Sequence, residues 1–240
     1  MKSLIPLIHP FEYDHLFHDI DFWLLGGNEP WYLVHSIVDS PYLISAINYC
    51  YKIWFFLLWG TLSYFLLVSH SELRSRYLLS WILCWTILGM IIAMILSCAG
   101  PAFTVRLDVS NHDYDALMQL LHQHSSWLES QDLTGVMALK TQDALWQSYA
   151  NGKEMLGSGI SAMPSMHVSM AVLMTLGMNA VNRKLGLVFG IFAVIIFIGS
   201  FSLGWHYLVD GLVSAPVTVL IWVVSGRIVQ RFGQEPEKLN

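Results

Sequence analysis

Residues 77–98, YLLSWILCWTILGMIIAMILSC, run without one charged side chain. A helix of that length covers the ~30 Å hydrocarbon core of a bilayer, so the stretch constrains the solvent before it constrains anything else. Three others resemble it. Residues 43–69 are apolar but for Lys52, residues 186–203 carry no charge, and residues 207–226 carry only Asp210. A fifth, weaker stretch at 162–181 has His167 as its one ionisable group. Composition points the same way. Hydrophobic residues make up 55% of the 240 and charged residues 12%, about half the charged share of a soluble domain.

The expectation is an all-α integral membrane protein, one membrane domain over 1–240, with a bundle of five to six transmembrane helices. Residues 1–41 are aromatic and apolar but broken by Gly, Asn, Glu and Pro. They read as an interfacial segment or an extra span, and MKSLIPLIHPFEYDH breaks too early for a cleavable signal peptide. Residues 99–161, between the second and third clear spans, read as an extracytoplasmic helical loop or lid with amphipathic helices near 112–129 and 140–150. Cys50, Cys84 and Cys98 all sit in apolar runs and read as buried small hydrophobes. A net charge of −5 offers no basic surface for nucleic acid.

Loop charge orients the bundle. Arg74 and Arg76, Arg183 and Lys184, and Arg227, Arg231 and Lys238 mark three cytoplasmic segments by the positive-inside rule. Segment 99–161 carries three basic residues against seven acidic ones and falls on the opposite side. The expected location is a bacterial inner (plasma) membrane, with the C-terminus in the cytoplasm and the active face toward the periplasm or exterior.

Ionisable groups inside membrane spans are costly and mark function. His167, His206 and Asp210 all map to the outer ends of their helices. His206 and Asp210, four apart, share a helix face. A carboxylate there can accept the imidazole Nδ1–H and leave Nε2 as a lone pair, a nucleophile or base. His167, from another helix, can donate a proton. In GISAMPSMH, Ser161 reads as the helix cap and Pro164 as a first-turn residue, making an anion-binding helix start beside His167. Trp205 and Tyr207 read as interfacial anchors, and His112, His122 and His124 as solvated.

PSMH (164–167) and GWHYLVDGLVSA (204–215) resemble the PSxH and HxxxD signatures of the type-2 phosphatidic acid phosphatase superfamily. The second, together with DIDFWLLGGNEPWY and AGPAF, looks most like the branch of inositol phosphorylceramide and sphingomyelin synthases. The resemblance implies phosphoryl transfer. His206 attacks phosphorus to give a phosphohistidine, Asp210 orients it, and His167 protonates the leaving oxygen and then activates water or an acceptor hydroxyl. Ser165 helps to hold phosphate oxygens. The implied partners are a lipid phosphate, membrane lipids and a second alcohol acceptor in the case of transfer; no cofactor or metal is implied.

The chain departs from the family at its cations. The KxxxxxxRP signature is absent, Ser200 stands where an arginine is expected six residues before the nucleophilic histidine, and Met166 replaces the glycine of PSGH. Arg106 and Lys52 are the candidate replacements for phosphate binding. Two other readings stay open: a catalytically inactive scaffold or transporter of the same fold, and a haem carrier with His167 and His206 as axial ligands.

Overall fold

The protein is described by a computed structural model over residues 9–37, 39–152 and 159–233. Its regular structure there is helical throughout. Two short helices lead, α1 (Asp14–Leu24) and α2 (Pro30–Ile37). The long α3 (Pro41–Leu67) follows, then α4 (Glu72–Thr86), which continues through a π turn at 87–92 to Ile95. After short helical turns at 101–107 come α5 (Asp115–Ser130) and α6 (Met137–Ala150). The chain closes with α7 (Met166–Val181), α8 (Arg183–Ser202) and α9 (Leu208–Gly233).

Among the described residues, four helices are long and apolar enough to cross a membrane: Pro41–Leu67, Glu72–Ile95, Arg183–Ser202 and Leu208–Phe232. The chain is therefore an integral membrane helical bundle. The fifth apolar stretch forms α7, whose 16 residues extend about 24 Å at 1.5 Å per residue. It is short because its N-terminal end starts late, at Met166 rather than near 162. Helices α1 and α2 have 11 and 8 residues. Neither is long enough for the sixth crossing that the upper expectation allowed.

Helix starts follow local chemistry. Ser71 accepts the N–H of Arg74 and Asn182 that of Lys184, each at the first turn of its helix. At α7 the structure moves the expected cap. Ser165, not Ser161, accepts the N–H of Val168, and Pro164 precedes the helix instead of sitting in its first turn. The serine that follows the proline is the one in register with the third helical N–H.

Helix α7 packs against α3, α4, α8 and α9. Met170, Ala171, Leu173 and Met174 are fully enclosed there, so protein, not lipid, surrounds this shorter helix. Polar groups inside are matched. Ser169 on α7 bonds Thr218 on α9 at 2.7 Å, and Thr218 and Ser214 donate back to carbonyls one turn earlier. Gly199 lets α8 approach α3: a Cβ there would lie 2.9 Å from Ile47 and 3.1 Å from the Tyr51 ring. At one end of the bundle Arg76 donates to the Trp222 carbonyl and lies 3.9 Å over its indole. Helices α1, α2, α5 and α6 gather at the other end. Asn48 on α3 accepts the N–H of Ala138 at the start of α6, and Gln142 on α6 donates to the Leu203 carbonyl.

Candidate active site

His206 sits in the turn between α8 and α9, buried. Its Nδ1 lies 2.8 Å from the Ala162 carbonyl and 3.2 Å from Asp210 Oδ2. Both neighbours are acceptors, so Nδ1 carries the proton and Nε2 the lone pair. Asp210 is fully buried in the first turn of α9, and the same Oδ2 accepts the N–H of Tyr207. His167 stands at the start of α7 with its ring centroid 5.9 Å from that of His206, edge to face. The ring lies against Tyr51 at 4.4 Å and Trp54 at 4.3 Å, and Trp54 Nε1 donates to the His167 carbonyl. Ser165 is fully buried, and its N–H points at the Asp210 carbonyl at 3.5 Å, joining the starts of α7 and α9. Thus His206, His167, Asp210 and Ser165 come together from two chain segments, 165–167 and 206–210.

The two candidate cations have other partners. Arg106 pairs with Asp143 on α6 and lies 5.8 Å from the Trp146 ring. Lys52 is exposed, with Nζ 3.2 Å from the Met137 sulfur.

Residues that the sequence reading passed over hold the turn at 202–210. From α2, the buried His35 donates through Nε2 to the Ser202 carbonyl. Burial pushes its pKa down, which keeps the ring neutral. The Ala102 N–H bonds the Gly204 carbonyl. From α1, Asp21 accepts the N–H groups of Leu208 and Val209, at 2.6 and 2.9 Å, at the open start of α9. Burial raises Asp21 to about 7 against those two hydrogen bonds. Asp14 accepts the Tyr207 hydroxyl at 2.8 Å and the N–H groups of Ala99 and Gly100. Gly100 sits at φ +101°, and a Cβ there would lie 2.8 Å from the Trp205 carbonyl. The AGPAF stretch is thereby seated against the histidine turn.

Two expectations change. Tyr207 is no interfacial anchor: it is 1% exposed and bonded to Asp14. His124 is not solvated but 7% exposed, its ring 6.0 Å from His35. Burial lowers its pKa as well. His112 and His122 are exposed, as expected of them. Asp14 and Asp21 carry little signal in the sequence, because Glu12, His15, His18 and Asp19 stand in the same short stretch.

A family model described as the PAP2 superfamily matches residues 15–224, which include both histidines, Asp210 and Asp21. No curated protein and no solved structure matches the chain.

Proposed function

We propose, on the premise that this chain belongs to the PAP2 superfamily, that it cleaves a phosphoester of a membrane lipid through a phosphohistidine on His206. Membership supports phosphatase or phosphotransferase chemistry in general. The observation that carries the finer reading is the double acceptor at His206 Nδ1, the Ala162 carbonyl and the Asp210 carboxylate. That arrangement leaves a nucleophilic Nε2 beside a second imidazole.

In the first step the Nε2 lone pair attacks phosphorus, and the P–O bond to the leaving group breaks. The leaving oxygen takes a proton from protonated His167. The new imidazolium charge on His206 is balanced by Asp210 across the Nδ1–H bond. In the second step neutral His167 takes the proton of a water or an alcohol as its oxygen attacks phosphorus, and the P–N bond breaks. Fixed donors and charges around the phosphoryl oxygens supply most of the rate in such transfers.

The basic residues at the ends of α4, α8 and α9 support an active face directed away from the cytoplasm. Lipid headgroups lie at that level, which supports a lipid phosphate as substrate and a second lipid alcohol as the acceptor in transfer. Purified protein and its His206→Ala variant, incubated with a panel of phosphorylated lipids, test the reading. Phosphate release without a new lipid marks a phosphatase, and a new headgroup conjugate without free phosphate marks a transferase. Equal turnover by wild type and variant on every lipid contradicts both.

A further inference from the structure

The cations described at the site end are engaged elsewhere. Lys52 lies against Met137, Arg106 pairs with Asp143, and Lys140 lies 3.6 Å from Glu129. A phosphoryl group held at His206 Nε2 nevertheless presents non-bridging oxygens that accept hydrogen bonds and donate none.

Beside the two histidines the structure holds three unused donors. Tyr51 Oη, Trp205 Nε1 and Ser161 Oγ are all buried atoms with no hydrogen-bond partner. Tyr51 itself is 7% exposed. Its ring stacks on His167 at 4.4 Å and runs parallel to Trp205, 2° between planes, at 6.3 Å. Trp205 precedes His206 in the chain, and Ser161 precedes Ala162, whose carbonyl holds the His206 Nδ1–H. The three orphaned donors therefore belong to the residues that touch or adjoin the reacting imidazoles. Buried donors without acceptors are rare in folded chains and call for a cause. A ligand whose oxygens only accept would satisfy all three together.

We infer that Tyr51, Trp205 and Ser161 form a neutral-donor cradle for the phosphoryl oxygens, in a chain that lacks the lysine and arginine of the KxxxxxxRP signature. The inference rests on the phosphoryl-transfer reading above. The Tyr51 hydroxyl is its centre, because Tyr51 is the most buried of the three and contacts both His167 and Trp205.

Orthovanadate tests the cradle without knowledge of the lipid, since it takes up the imidazole nitrogen and presents oxygens as the phosphoryl group does. Its affinity is read from the rise in thermal unfolding midpoint of the purified full chain. Tyr51→Phe keeps the ring and its stacking and removes only the oxygen. It is expected to weaken vanadate about tenfold or more, the scale of one hydrogen bond to a charged group, with the unliganded midpoint unchanged. Trp205→Phe and Ser161→Ala are expected to weaken it in the same direction, and they carry the test if Tyr51→Phe does not fold. Wild-type vanadate affinity in all three variants overturns the cradle and leaves the His206 mechanism standing. No vanadate response in the wild type overturns the phosphoryl site itself, and the cradle with it.

Discussion

His206 and His167 are held by different physics. The turn carrying His206 is gripped by hydrogen bonds from outside its own helices: His35 at Ser202, Gln142 at Leu203, Ala102 at Gly204, Asp14 at Tyr207 and Asp21 at the start of α9. The ring itself is pinned through Nδ1. His167 is set between aromatic faces, Tyr51 and Trp54. A nucleophile has to keep one tautomer and one direction, and hydrogen bonds to its far nitrogen enforce both. A proton shuttle has to change charge twice per cycle, and aromatic faces accept either charge state. The contrast explains why four separate segments outside the long helices converge on the His206 turn.

Replacements that break this contrast are expected to rank in size. His206→Ala removes the attacking atom and should lower turnover by at least about 10⁴-fold, as loss of a nucleophile does elsewhere. His167→Ala removes the acid and base and should cost about 10²–10⁴-fold. It should do so least for phosphate esters of acidic phenols, whose leaving oxygen needs no proton, and initial rates on the two ester types separate these cases. Asp14→Ala strips the acceptor from two backbone N–H groups and the Tyr207 hydroxyl. Its expected cost is about 1–3 kcal/mol for each group left unsatisfied, seen as a lower unfolding midpoint in detergent.

A further expected effect is a pH dependence at Asp21. Its ordinary value of 3.8 rises to about 7 in the folded chain, so the native state binds the proton more tightly than the unfolded state. That contribution to stability is fully present below about 3.8 and is lost as pH rises through about 7. Asp21→Asn should flatten the midpoint between those limits relative to wild type. An unchanged slope would remove Asp21 from the clamp's electrostatics.

Much of this was legible in the sequence. Apolar runs of bilayer length, with at most one charge each, marked the four long helices, since a membrane leaves few alternatives to a helix. The amphipathic stretches near 112–129 and 140–150 became α5 and α6. The pairing of His206 with Asp210 was expected from their spacing of four, but the shared helix face was not found: His206 lies in the turn before α9, and only Asp210 is helical. What stayed hidden depends on long-range contacts. Asp21 and Leu208 lie 187 positions apart in the chain, and no periodicity links a carboxylate to a distant helix start. Tyr51 and Trp54 looked like ordinary members of an apolar run, because their role depends on which helix α3 faces. The cap at α7 was misread by four residues because two serines flank one proline and local pattern does not rank them.

The central claim is a covalent bond from phosphorus to His206 Nε2, and intact-protein and peptide mass spectrometry after rapid quenching reads it directly. Purified His167→Ala protein, given the phosphate ester of an acidic phenol, should accumulate one phosphoryl group on the peptide containing His206. The label should disappear in the double variant that also carries His206→Ala. A label on any other residue, or steady turnover with no labelled peptide at any quench time, would contradict the account.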